Sequence, residues 1–137
     1  MQIYADRHAL HRIPELELDL PRTQDYLKQA LSGLSCRVFS PLGSALCAWF
    51  DFGAEEAIAF RADCDALPIC EKGEHDFISA HSGKMHACGH DFHTAAGLGA
   101  AMALSRQRDS LPGNVLFLFQ PAEEECKGAL EVLKTLS

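Results

Sequence analysis

Asn114-Val115-Leu116-Phe117-Leu118-Phe119-Gln120 narrows the choice of fold more than any other stretch of this chain. It is apolar without alternation, as expected for a central strand covered on both faces. Pro121 stops it. A strand of that kind needs layers of helix packed on its sheet. The pattern therefore predicts an α/β layered domain, with a mixed and mostly parallel sheet flanked by helices.

The flanking chain supplies those layers. Residues 3–13 are weakly helical and end at Pro14. His8 and His11 fall there at i, i+3 spacing and read as solvated helix histidines. A clearer helix runs from Pro21 to Gly33, with Leu27, Ala30, Leu31 and Leu34 on one face. Strands are expected at 36–40, 45–52 and 57–61, separated by turns at Pro41-Leu42-Gly43 and Gly53-Ala54. Residues 69–85 read as loop, with His75 and His81 on the surface. A helix follows from Gly89 to Arg108. Its glycines and alanines cost helix propensity, which close packing on a sheet would offset. A last helix covers 128–136. No linker marks a second domain, so 1–137 reads as one unit.

Composition excludes several classes. Hydrophobic residues make up 47% of 137, enough to bury a core. A formal charge of −7 argues against nucleic acid or an anionic membrane surface as partner. No apolar run approaches the about 20 residues needed to span a bilayer. Met1-Gln2-Ile3-Tyr4-Ala5-Asp6-Arg7 lacks the basic-then-apolar layout of a signal peptide. These features predict a cytoplasmic protein. Its six scattered cysteines form no C-x-x-C pair and read as thiols.

The chemistry concentrates in two places. Met85-His86-Ala87-Cys88-Gly89-His90-Asp91-Phe92-His93 gathers thiol, imidazole and carboxylate, the side chains that bind transition metals. Cys88 and His90 are one residue apart at a helix start, where i and i+2 side chains can converge on one ion. The helix N-terminus is expected to favour a thiolate at Cys88. Asp91 or His93 could orient a ligand from behind. The second place is Glu123-Glu124-Glu125, just past the predicted central strand. Neighbouring loop residues point apart, so one carboxylate can bind metal while the other holds a water. That division suits metal-assisted hydrolysis. Arg61-Ala62-Asp63-Cys64-Asp65 ends another strand, where open α/β sheets place their sites. Two other chemistries compete: a structural zinc site, which lacks a second Cys/His pair, and a Cys88 nucleophile with His90 or His93 as base.

Four stretches together resemble a known family: His11-Arg12-Ile13-Pro14-Glu15-Leu16, Phe60 to Pro68, Gly83 to Ala95, and Phe119-Gln120-Pro121-Ala122-Glu123-Glu124. They are similar to the metal-dependent aminoacylases and hippurate hydrolases. That family also includes N-acetyl-diaminopimelate deacetylases and auxin-conjugate amidohydrolases. The resemblance implies a zinc-peptidase-like catalytic domain and a two-metal amidohydrolase that cleaves N-acyl amino acids or small peptide-like amides. It implies Cys88, His90 and Glu124 as metal ligands, Glu123 as general base, and Asp63 as a carboxylate behind the ligands. Zinc, manganese, cobalt or nickel would serve, as one or two ions per site.

Family members are much longer. Their further histidine ligands and their lid and dimerisation domain have no counterpart in these 137 residues. The expected unit is therefore a truncated catalytic domain with an incomplete ligand set. A non-catalytic remnant or subunit is the alternative. A sheet cut from a larger one keeps an unpaired edge, which favours self-association or a need for the missing C-terminal part.

Overall fold

The structure, a computed structural model, describes residues 2–107 and 111–136. Its elements are α1 (Gln2–His11), α2 (Pro21–Leu31), β1 (Arg37–Phe39), β2 (Leu46–Phe50), β3 (Ala57–Asp63), α3 (His90–Arg106), β4 (Asn114–Gln120) and α4 (Gly128–Leu136). The elements expected from the sequence are present, with ends shifted by a few residues. Arg108, where the long helix was expected to end, lies outside the described residues.

The strands form one mixed sheet in the order β1-β2-β4-β3. β4 runs antiparallel to β2 and parallel to β3. One of the three pairings is thus parallel, the one bridged by residues 64–89 and α3; a parallel pair needs such a crossover. In that pairing Asp63 stands opposite Gln120. The C-terminal ends of β3 and β4 therefore open on the same edge of the sheet.

One sheet face is filled. Leu46, Ala48 and Phe50 alternate along β2 and meet Phe117 and Phe119 of β4, Leu27 and Leu31 of α2, and Leu98 and Ala101 of α3 in a single core. On the opposite face Leu116 and Leu118 are only half-buried. The unbroken apolar run of β4 predicted two covered faces. The helices that fill the core, α2 and α3, both belong to the first.

Small residues bring α3 close. A Cβ at Gly97 would sit 3.1 Å from Phe119 Cε1 and 3.4 Å from Phe60 Cε1, so the glycine sets the depth at which helix meets sheet. The start of α2 is capped from a distance. Glu15 accepts the N–H groups of Arg22 (3.1 Å) and Thr23 (2.8 Å), and Ser44 Oγ accepts that of Leu20 (2.7 Å). These bonds satisfy donors that a helix start leaves open. No helix among the described residues is long and apolar enough to cross a membrane. All six cysteines are free thiols.

Candidate metal centre

Three segments meet at the open edge. The end of β3 brings Asp63 and Asp65, the turn after β4 brings Glu123 and Glu124, and the start of α3 brings Cys88 and His90. Gly89 sits between those last two with φ 106°, a left-handed conformation that suits glycine. It serves as N-cap of α3 and reverses the chain so that its neighbours face the same space.

His90 is the hub. Its Nδ1 lies 2.8 Å from the main-chain oxygen of Asp65, so this nitrogen carries the donated proton. Nε2 is left facing carboxylates: Glu123 Oε2 at 3.5 Å, Asp63 Oδ1 at 3.6 Å and Glu124 Oε1 at 3.8 Å. In each of two trios here the three residues offer one ligand atom apiece, all within 4.8 Å of one another: Cys88, His90 and Glu124, and Asp63, His90 and Glu123.

Asp65 organises the turn. One carboxylate oxygen accepts the N–H of Glu123 at 3.0 Å and the other that of Glu124 at 3.1 Å. Burial alone would raise its pKa. The donors from His90, Glu123 and Glu124 outweigh burial and hold the carboxyl below its ordinary range. The same element end is fixed by Arg61, which pairs with Asp63 Oδ2 at 3.1 Å and donates to Gln120 at 2.8 Å.

The electrostatics suit a cation. Burial would lower the His90 pKa, but Asp65 and Asp63 reverse this and raise it to about 9. The neighbouring Glu124 carboxylate, with burial second, pushes the Cys88 thiol above its ordinary value. The expected thiolate-favouring effect of the helix start is thus outweighed by the acids around it. Glu124 Oε1 is buried without a hydrogen-bond partner. A sulfur, an imidazole nitrogen and an unpartnered carboxylate oxygen fit a transition ion of the zinc, cobalt or manganese type. Three protein ligands with an open position are also the pattern of catalytic sites.

The remaining predicted residues divide. His93 Nδ1 meets Asp63 Oδ1 at 2.6 Å, the same oxygen that faces His90 Nε2. Asp91 turns away. Its Oδ2 lies 2.8 Å from His11 Nδ1 and accepts from Arg7 Nε at 3.2 Å. His11 is buried in that contact, not solvated as its helical spacing suggested. His86 is buried as well, and burial lowers its pKa to about 4. Asp65 falls within a motif of the sequence but has no role that the sequence assigns. The signal available was the alternation of Asp63 and Asp65 at a strand end.

Helices on a mixed sheet, with thiol, imidazole and carboxylates gathered where parallel strands end, are the layout of an α/β domain that carries a metal-binding site. Residues 59–137 match the model of peptidase family M20/M25/M40, and the chain belongs to that family. It is 44% identical over 136 residues to the N-acetyl-L-cysteine deacetylase of Bacillus subtilis (strain 168), a match taking in 97% of this chain and 32% of that protein. It is 42% identical over 133 residues to an uncharacterized hydrolase of Staphylococcus epidermidis, covering 93% of this chain and 34% of the other. Its fold is similar to that of a Bacillus subtilis protein described as a dinuclear metal binding peptidase of the M20 family. That likeness has a TM-score of 0.92 at 40% identity and covers 97% of this chain and 38% of the other. The chain thus spans about a third of the length of the curated relatives it matches.

Proposed function

We propose that this chain is the metal-binding part of a catalytic domain in a metal-dependent amidohydrolase acting on N-acyl amino acids or small peptide-like amides. The observation that carries the reading is the meeting of Cys88, His90 and Glu124 around the unpartnered Glu124 Oε1. In this reading Cys88, His90 and Glu124 hold one or two divalent ions. A bound ion would polarise the amide carbonyl and acidify a water. Glu123 acts as general base: a carboxylate oxygen takes the water proton and returns it to the leaving nitrogen. The water oxygen adds to the amide carbonyl carbon, the carbonyl electron pair moves to oxygen and returns, and the C–N bond then breaks, giving a carboxylate and a free amine. His93 holds Asp63, whose carboxylate faces His90 Nε2, and Asp65 steadies both His90 and the Glu123-Glu124 turn. Six unpaired thiols support a reducing compartment, the cytoplasm.

A second reading, a non-catalytic remnant or a subunit needing further chain, rests on the cluster bringing together three ligand atoms and not four among the described residues. Metal analysis and turnover of N-acetyl and N-benzoyl amino acids under added zinc, manganese, cobalt or nickel separate the two. Chelator-sensitive turnover abolished by Glu123→Gln supports the enzyme. Stoichiometric metal without turnover supports the remnant. A chain that binds no divalent ion defeats both.

A further inference from the structure

A second group of metal-binding side chains lies outside the candidate centre and shares no residue with it. We propose that His11, Glu71 and His75 form a separate site for a zinc-type divalent ion, which pins the 69–85 segment to α1. Glu71 Oε1 lies 2.9 Å from His11 Nε2 and 2.7 Å from His75 Nε2. The three ligand atoms sit within 4.8 Å of one another.

The site has the supports that a bound ion requires. The side chains of His11 and Glu71 are each 3% exposed. The second oxygen of Glu71 accepts the N–H of Ser79 at 2.6 Å, which aims Oε1 inward. His11 presents Nδ1 to Asp91 at 2.8 Å, the carboxylate–histidine arrangement that orients a metal-bound imidazole. Arg7 in turn holds Asp91. Phe77 walls one side, its ring centre 4.0 Å from that of His75 and 5.3 Å from that of His11. The His75 side chain is 29% exposed, so a fourth position faces water.

Hydrogen bonds alone leave this group poorly matched. Two imidazole nitrogens crowd one carboxylate oxygen, while His75 Nδ1 and Asp91 Oδ1 are buried without partners. His86 stands beside the group with neither ring nitrogen partnered, its ring centre 6.3 Å from that of His11. Bonds of about 2.0–2.2 Å at tetrahedral angles separate neighbouring donors by about 3.3–3.5 Å. The two N···O spacings, 2.9 and 2.7 Å, therefore have to open by only about 0.4–0.8 Å to admit the ion.

Cobalt(II) titration of the 137-residue chain tests this, with Cys88→Ala, His75→Ala and Glu71→Gln variants checked for fold by circular dichroism. The partly exposed His75 is the variant that keeps the fold if Glu71→Gln does not. We expect two classes of cobalt. One gives a thiolate charge-transfer band that Cys88→Ala removes. The other gives only nitrogen/oxygen d–d absorption, which His75→Ala weakens in affinity by about tenfold or more while the thiolate band persists. Zinc should also slow proteolysis within 69–85 in the wild type and not in His75→Ala. Loss of all cobalt in Cys88→Ala, or unchanged stoichiometry and affinity in His75→Ala, overturns the site. Loss of the d–d class in His75→Ala with no thiolate band in any form upholds it while overturning the Cys88 centre.

Discussion

His90 Nδ1 lies 2.8 Å from the main-chain oxygen of Asp65, and this one contact decides which nitrogen of His90 faces the cluster. With Nδ1 committed, Nε2 is the only lone pair the ring can offer. Asp65 also holds both glutamate N–H groups, so it sets ring and turn together. Asp65→Ala should leave the core intact and weaken zinc binding by about 10–100-fold, the usual effect of losing a group that orients ligands. Competition against a chromophoric chelator measures it. Unchanged affinity would show that the turn holds its shape without Asp65.

The raised pKa of His90 makes a signed prediction for the metal-free chain. The folded value is about 9 against 6.5 in the unfolded chain. The protonated imidazole therefore stabilises the fold, fully below pH 6.5, and that contribution fades as pH rises toward 9. In chelator, stability should fall by about 2–3 kcal/mol between pH 6.5 and 8.5, because each pH step between the two values is worth about 1.4 kcal/mol. Over the same range zinc affinity should rise, because the ion must displace that proton. Urea melts at several pH values, with and without zinc, read both trends. A His90→Asn variant should lose the slope.

Glu15 belongs to one of the four stretches that carry the family likeness, and its carboxylate caps α2. Both oxygens are used on the N–H groups of Arg22 and Thr23. Glu15→Ala should cost about 1–2 kcal/mol, the range for a lost cap, and leave metal stoichiometry unchanged. Denaturant midpoints and metal analysis on one preparation test both halves.

Glu15 also shows where legibility in the sequence ended. The unbroken run of β4, the proline and glycine stops, and the small residues of α3 announced elements and their order, because those signals are local. The bonds from Glu15 to α2 span only seven and eight residues, but they cross a turn whose path no periodicity encodes. His11 was illegible for a stronger reason: i, i+3 spacing with His8 describes a helix face, while burial comes from Asp91 and Glu71, 80 and 60 residues away. The Cys88, His90 and Glu124 grouping was legible because motif spacing and strand-end logic agreed. The turning away of Asp91 was not, because the first turn of α3 faces both the cluster and α1.

Gly97 sets the gap between α3 and the sheet. A Cβ there would stand 3.1 Å from Phe119 Cε1, tighter than an ordinary contact. Gly97→Val adds a branched side chain into a filled core and should destabilise by about 1–3 kcal/mol. Gly97→Ala is the control, since its better helix propensity, about 1 kcal/mol, opposes the crowding. Thermal melts ranking valine well below alanine would support a packing limit. Equal losses would point to backbone conformation instead.

β3 is an edge strand whose outer side carries no partner strand among the described residues. Ile58 is 72% exposed on it and Phe60 37%. An edge with apolar side chains and free N–H and C=O groups is a template for another strand. Leu130 and Leu133 of α4 add further exposed apolar surface. The chain alone should therefore associate as its concentration rises, and Ile58→Lys should return it toward monomer, because a charge on an edge strand opposes pairing. Leu133→Lys separates the two surfaces: if the α4 face drives association, that variant acts and Ile58→Lys does not. Sedimentation velocity across a concentration series reads the result. A chain that stays monomeric throughout would mean that the twist of β3 or its flanking charges already protect the edge.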